Sequence, residues 1–286
     1  MPPALDAPLV PITRDVILQH AQKLPAAPQV LGGLFEMLED VNTDLEQIAA
    51  QIRVDPALSA RVLRISNSAA FGSGSIASSI EEAVSRVGFA EITRLVGVAT
   101  VVGLADKALQ SYGISAMALR ESLLLHALAS EALAQRTMLD ARAAYAGGLL
   151  RSVGVMILER VAHAERKGLV TPFDPKSGAG YGNWERIQFG ITSVDVTTIA
   201  LDEWRFPQEL VTAIERHLAP ENEAMAAVLH LAGAIVVAQR RALPGEAKLW
   251  GVTPRVLAAA GLDMPAWQEA CGEAGKVFEH LKQALY

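Results

Sequence analysis

An arginine and a serine lie side by side in an otherwise apolar stretch of the sequence. Residues 147–154 read GGLLRSVG, with Arg151 and Ser152 at the centre. A guanidinium buried in such a segment must find a carboxylate, a carbonyl oxygen or water, because an unpaired buried charge is costly. Two interpretations of Arg151 follow. It forms a buried ion pair that locks two lobes of the fold together, which we favour, or it binds an anionic ligand.

A second group of polar residues lies in residues 55–72, which read DPALSARVLRISNSAAFG. Helical numbering places Arg61 and Arg64 on one face. Asn67 falls near the helix end, where short polar side chains bond free backbone groups. The arginines could hold a phosphate, a nucleotide or an acidic partner, but a solvated face with local ion pairs is more common for such charges. The opposite face is apolar and predicts a core contact: Leu58, Val62, Ile65 and Ala69.

Other motifs that carry chemistry are missing from the sequence. It contains no nucleophile elbow, P-loop or dinucleotide-binding glycine motif between a predicted strand and a helix. No histidine and glutamate have the HExxH spacing of a zinc-binding helix. Cys271 is the single cysteine, so an intrachain disulfide cannot form. These patterns favour no enzyme class.

The composition predicts packed helices. Of the 286 residues, 51% are hydrophobic and only 5% aromatic, so alanine, leucine and valine supply most of the apolar surface. Alanine and leucine are strong helix formers. The formal net charge of −6 argues against a nucleic-acid partner, which usually requires a basic surplus. The longest apolar stretches, 95–105 and 225–238, fall short of the ~20 residues of a membrane helix. With no signal peptide visible, we expect a cytoplasmic protein without a membrane partner.

The apolar residues recur with helical spacing along most of the chain, and strand-like alternation is rare. This pattern predicts an all-α protein of about a dozen short helices. Capping boxes are predicted at Thr43 with Glu46 and at Ser78 with Glu81. A proline- and glycine-rich loop, 170–182, carries aromatic residues at its far end for binding or for packing. The later helices are predicted near 115–137, 141–163, 185–190, 194–204, 207–218, 223–241, 254–260 and 265–284.

Several of these segments, taken in order, resemble the HDOD family of the HD-domain superfamily. The resemblance spans residues 20–220, and DPALSARVLRISNS within residues 55–72 is its most specific part. It implies a two-lobed helical bundle that is HD-domain-like. On that basis we expect a tail (1–14), an N-terminal lobe (15–110), an HD-like lobe (111–220) and a C-terminal helical extension (221–286). The matching segments are LPAAPQVLGGLFEML, IAAQIRVDPALSARVLRISNSAAFG, IASSIEEAVSRVGFAEITRLV, YAGGLLRSVGVMIL, WERIQFG and EWRFPQELVTAIERHLAP.

The resemblance also implies where a metal site would lie. Enzymes of the HD superfamily bind one or two divalent metals through histidines and aspartates. In this sequence His126 and His217 match two of those ligands. Arg151 and Ser152 stand where the His-Asp pair would be, and an arginine cannot ligate a metal and repels cations. The remaining matched positions carry weak or unsuitable ligands: Thr192, Leu218 and Gly233.

The resemblance implies a role in bacterial signal transduction, and the missing ligands predict a non-catalytic HDOD module with no metal or other cofactor. We expect it to act on a protein partner or on a small ligand such as a nucleotide or another anion. Two alternatives stay open: a divergent metal-dependent phosphohydrolase that uses His126 and His217, and an anion or nucleotide sensor in the vacated metal pocket. The candidate partner or ligand residues are Arg61, Arg64, Asn67, Arg151 and Ser152.

Overall fold

The computed structural model describes residues 12–24, 30, 32–34, 37, 42–72, 76–177 and 180–286, without the side chains of residues 89 and 90. Within these ranges the chain forms fourteen α-helices and no β-strand. The predicted all-α fold is therefore confirmed. Most of the predicted tail, residues 1–11, lies outside the described residues.

The described helices are numbered here in chain order. The first five are α1 (Arg14–Ala21), α2 (Leu45–Arg53), α3 (Pro56–Ser66), α4 (Ile80–Val87) and α5 (Phe89–Leu104). The next six are α6 (Ala116–Ala134), α7 (Ala141–Leu150), α8 (Val153–Ala164), α9 (Tyr181–Phe189), α10 (Ser193–Glu203) and α11 (Gln208–Arg216). The last three are α12 (Ala224–Ala238), α13 (Pro254–Ala259) and α14 (Met264–Leu281). Short 3₁₀ turns occur at Gln110–Tyr112, Pro175–Ser177 and Lys282–Leu285.

Polar side chains cap the N-termini of the early helices. Asp55 caps α3 by accepting hydrogen bonds from the backbone N–H of residues 57 and 58, at 2.8 and 3.1 Å. The two predicted capping boxes are each one residue too early. Asp44 and Gln47 form the box of α2, and Ser79 caps α4. Asp44 is a stronger N-cap than Thr43, since aspartate ranks above threonine at this position.

The helix predicted over 141–163 is broken in the structure. α7 ends at Leu150 and α8 begins at Val153, so Arg151 and Ser152 form the turn between them. The first turn of α8 packs closely on α10, where the Gly154 N–H donates to Thr197 Oγ1 at 2.9 Å. A Cβ atom on Gly154 would collide with the carbonyl oxygen of Ser193. This contact with a distant helix explains a break that the local periodicity does not show.

Helix α6 lies at the centre of the larger lobe and packs against α5, α7, α12 and α14. Helices α2 to α5 pack mainly on one another and form the smaller lobe, whereas α1 packs on α8 and α10. Helix α12 is almost entirely buried, and α14 buries Ala270, Ala274, Phe278 and Leu281. The C-terminal extension is thus part of the core. None of the helices described is both long and apolar enough to cross a membrane.

Candidate functional site

Arg151 is held by a buried carboxylate from the C-terminal extension. Its Nη1 donates to Glu246 Oε1 at 2.9 Å, and its Nη2 donates to Glu246 Oε2 at 3.0 Å. Both side chains are 4% exposed. The third donor, Nε, bonds His126 Nδ1 at 2.8 Å. The predicted ion pair therefore exists, but Arg151 joins the α7–α8 turn to residues beyond 238 rather than one lobe to the other.

The ring of His126 uses both of its nitrogens in this arrangement. Nε2 lies 2.9 Å from the carbonyl oxygen of Leu229, which can only accept, so Nε2 carries the proton. Nδ1 then accepts the Arg151 hydrogen bond. Burial and the nearby guanidinium lower the pKa of His126 well below its usual value. His126 is therefore a neutral ring without a free lone pair for a metal.

Trp250 fills the space that these residues surround. The Arg151 guanidinium carbon lies 5.3 Å from the centroid of the indole. On α12, a Cβ atom on Gly233 would collide with the same indole, so the glycine makes room for it. Three histidine rings lie between 5.5 and 5.7 Å from the indole, measured between centroids: His126, His217 and His230.

The other two histidines are also engaged with the backbone. His230 Nδ1 donates to the His217 carbonyl oxygen at 2.9 Å, and its Nε2 accepts from the Gly251 N–H at 3.0 Å. His217 Nδ1 bonds the carbonyl oxygen of Ile214. Burial, followed by the charge of Arg151, lowers the pKa of His217 to about 3. His217 is consequently neutral at neutral pH.

The residues at this site do not fit the divalent metal of an HD-superfamily enzyme. In the described part of the chain, no group of three or more histidine, cysteine, aspartate or glutamate side chains could hold a metal ion. His126 has no free ring nitrogen, and both oxygens of Glu246 are bonded to Arg151. Thr192, at another matched position, caps α10 and donates to Asp195 Oδ2 at 2.6 Å. A tryptophan and a salt bridge stand where metal ligands would be needed.

A pocket of about 240 Å³ lies beside the Arg151–Glu246 pair. Ser152 is 1% exposed and Tyr181 is 5% exposed, and both line this pocket. Among the described residues, neither hydroxyl finds a hydrogen-bond partner. The structure thus brings Arg151, Ser152 and His217 together around one cavity.

The other predicted site residues lie elsewhere and make mostly structural contacts. The Arg61 guanidinium packs against Gly103 of α5, and Arg64 is exposed. Asn67 clamps the chain after α3: its Nδ2 donates to the Ala77 carbonyl at 2.9 Å, and its Oδ1 accepts from the Ala77 N–H at 2.8 Å. These residues share neither a contact nor a described pocket with Arg151.

The aromatic residues of the long loop form a buried cluster. Phe173, Tyr181 and Trp184 are between 5% and 9% exposed. The Tyr112 ring meets Tyr181 and Trp184 edge-on, with centroids 5.4 and 4.8 Å apart. Of the two sequence-based interpretations, packing accounts for them.

The sequence reasoning missed Glu246 and Trp250. Both lie in the irregular segment between α12 and α13, beyond the residues that carry the family resemblance. The signal that could have found them is the need of a buried Arg151 for a carboxylate. Several acidic residues met that need equally well, so the partner could not be chosen from sequence.

Comparison with known proteins agrees with this helical architecture. The HDOD domain family matches residues 24–220. The chain therefore belongs to the HDOD domain family. A comparison with curated proteins gives no match.

Solved structures share the fold at low sequence identity. A proposed phosphohydrolase from Shewanella amazonensis SB2B is 21% identical, with a TM-score of 0.66, and the match covers 95% of this chain and 98% of the other. A proposed signal transduction protein from Marinobacter aquaeolei VT8 is 20% identical, with a TM-score of 0.68, covering 95% of this chain and 65% of the other. An HDOD domain protein with unknown function from Geobacter sulfurreducens is 18% identical, with a TM-score of 0.58, covering 96% and 92%. At these identities the comparisons show the fold alone.

Proposed function

We propose that this protein is a non-catalytic HDOD module that acts in cytoplasmic signalling by binding a protein or a small ligand. The observation that carries the proposal is the filled metal site. Glu246 neutralises Arg151, and Trp250 occupies the space between the histidines. A hydrolytic metal would have to displace both residues and bind beside a fixed positive charge.

The signalling role rests on family membership and on the description of one structural neighbour. The Marinobacter aquaeolei protein is described as a signal transduction protein. A metal site that Trp250 and the Arg151–Glu246 pair fill suits a module that binds partners rather than one that turns over a substrate. Under this proposal, residues 15–220 form the HDOD domain, and the extension supplies the residues that close its site.

The test of the non-catalytic role is metal content together with hydrolysis. Purified protein is dialysed against Mn²⁺, Fe²⁺ or Mg²⁺, analysed for bound metal, and assayed with bis-p-nitrophenyl phosphate and with cyclic dinucleotides. We expect less than one metal per chain and no hydrolysis above a mock purification. The His126→Ala, His217→Ala double variant is the control. Stoichiometric metal together with hydrolysis that this variant abolishes would overturn the proposal in favour of a divergent phosphohydrolase.

A further inference from the structure

Two residues that line the pocket beside the Arg151–Glu246 pair carry hydroxyl groups without a hydrogen-bond partner among the described residues. Ser152 Oγ and the Tyr181 hydroxyl are both buried, and both residues line the pocket. Buried polar groups in proteins are nearly always hydrogen-bonded, because leaving such a bond unmade destabilises the fold. Two such groups in one cavity point to a polar molecule as their partner.

The charges around the pocket decide which kind of polar molecule fits. Arg151 supplies no free positive charge, because Glu246 engages it through both oxygens. The lining contains four carboxylates and two guanidinium groups: Glu185, Asp195, Glu215 and Glu246 against Arg151 and Arg186. Burial raises the pKa of Glu185, yet a neutral Glu185 still leaves three carboxylates facing two guanidinium groups. The pocket therefore repels anions and attracts cations.

The positions of these groups define two ends of the pocket. The floor is formed by the buried Ser152 and Tyr181, and the rim includes the exposed carboxylates of Asp195 and Glu215 and the exposed guanidinium of Arg186. Burial raises the pKa of Tyr181, so its hydroxyl keeps its proton and can donate. The volume of about 240 Å³ is below the usual range for drug-sized ligands. A small molecule is favoured over a dinucleotide.

We propose that this pocket binds a small polar ammonium compound. Its hydroxyl or carbonyl groups bond Ser152 and Tyr181, and its cationic nitrogen faces Asp195 and Glu215. This inference rests on the proposed binding role and names the ligand class of the same site. The predicted ligand is a cation, whereas an exposed Arg151 would select an anion.

Three probes with one carbon skeleton test the charge preference. Serinol is a cation, glycerol is neutral and glycerate is an anion, and each is titrated against the full chain by saturation-transfer NMR. We expect serinol to bind at least about threefold more tightly than glycerol, and glycerate to bind most weakly, since exposed carboxylates each contribute modestly. Glu215→Gln reduces the preference for serinol, while Glu279→Gln, on the exposed face of α14, leaves it unchanged.

Removal of single hydroxyl groups tests the floor of the pocket. Ser152→Ala and Tyr181→Phe each weaken serinol binding by about two- to tenfold, the value of one hydrogen bond. Neither variant should lose stability, because neither hydroxyl has a partner in the part of the chain that the structure describes. Tyr145→Phe is the matched control: its hydroxyl is also buried and has no partner among those residues, but Tyr145 does not line this pocket.

Three results would overturn the inference: preference for glycerate, equal binding of the three probes, or no binding by any of them. Each leaves the non-catalytic proposal intact, because that proposal fails only on metal binding with hydrolysis. Conversely, hydrolysis with normal serinol binding would remove the proposed function and keep the pocket.

Discussion

At the scale of single residues, the most consequential feature is a charge inside the fold. All three side-chain nitrogens of Arg151 donate hydrogen bonds, two to Glu246 and one to His126. A buried ion pair adds little stability by itself, because desolvation offsets the attraction. Breaking one side of it is costly, since the remaining charge stays buried. The pair therefore specifies the position of the α7–α8 turn more than it increases stability.

Glu246→Gln should lower the free energy of unfolding by about 3–5 kcal/mol, because it leaves Arg151 buried without a counter-charge. Replacing both partners, with Arg151→Met and Glu246→Met, should lower it much less than Glu246→Gln alone. Urea denaturation followed by circular dichroism measures both. Glu279→Gln, which breaks an exposed pair with Lys282, is the control and should change stability by less than about 1 kcal/mol. A double variant that loses more than the single one would contradict this account.

The buried histidines make stability depend on pH. In the unfolded chain a histidine binds a proton below a pKa of about 6.5, whereas His217 in the fold does so only near pH 3 and His126 also well below its usual value. The unfolded state therefore binds more protons between these values, and stability falls as the pH falls below 6.5.

Between pH 7 and pH 5 we expect the free energy of unfolding to decrease, with a limiting slope of about 1.4 kcal/mol per pH unit for each buried neutral histidine. Urea midpoints at a series of pH values measure this slope. The His217→Asn variant should show a shallower one. A profile that stays flat from pH 7 to pH 5 would mean that the two rings are not held neutral.

At the scale of elements, the close packing of α8 on α10 positions the site. The Gly154 N–H donates to Thr197 Oγ1, and the glycine lacks the Cβ that would strike the Ser193 carbonyl. This approach breaks the helix at residues 151 and 152 and turns both side chains toward the residues that follow α12. The contact between α8 and α10 at Gly154 therefore positions the turn that carries Arg151 and Ser152.

Gly154→Ala should destabilise the protein by about 1–3 kcal/mol or more, because a packed backbone cannot move aside cheaply. Gly272→Ala on α14 is the control, and the opposite effect on stability is expected because a Cβ there meets no atom within 4 Å. It should stabilise the protein by about 0.5–1 kcal/mol through a lower unfolded-state entropy. Thermal unfolding of the two variants side by side measures the difference, and destabilisation by both would refute the packing argument.

At the scale of the whole molecule, the C-terminal extension completes both the core and the site. Helix α14 packs on α6 and buries Phe278 and Leu281, and the segment before α13 supplies Glu246 and Trp250. In addition, Arg120 Nη1 donates to the carbonyl oxygen of Leu285 at 3.0 Å. The extension therefore stabilises the fold, although the family resemblance ends at residue 220.

A chain that ends at Gln239 should lose cooperative unfolding and expose apolar surface. It lacks the cover of α6 and leaves Arg151 without its carboxylate. Circular dichroism during thermal unfolding, together with size-exclusion chromatography, measures this. A chain that lacks only Tyr286, which is 64% exposed, is the control and should behave as the full chain. A truncated chain with an unchanged transition would show that the domain folds without its extension.

The sequence by itself determined the all-α class, the approximate order of the helices and the family, because helical periodicity is a local property, whereas the break at residues 151 and 152 escaped it. The Asp55–Pro56 start of α3 and the apolar face with Val62 follow from neighbours along the chain. Likewise, a non-ligating residue such as Arg151 at a matched metal position can be identified by alignment alone.

Only the tertiary structure decided what surrounds Arg151. The pairing with Glu246, the insertion of Trp250 over Gly233 and the break before Gly154 all join residues far apart in the chain. No local pattern encodes such contacts, because they depend on how helices of fixed shape pack against one another. The sequence predicted an ion pair for Arg151, but only the tertiary fold showed that its partner is Glu246 and that both carboxylate oxygens engage the guanidinium.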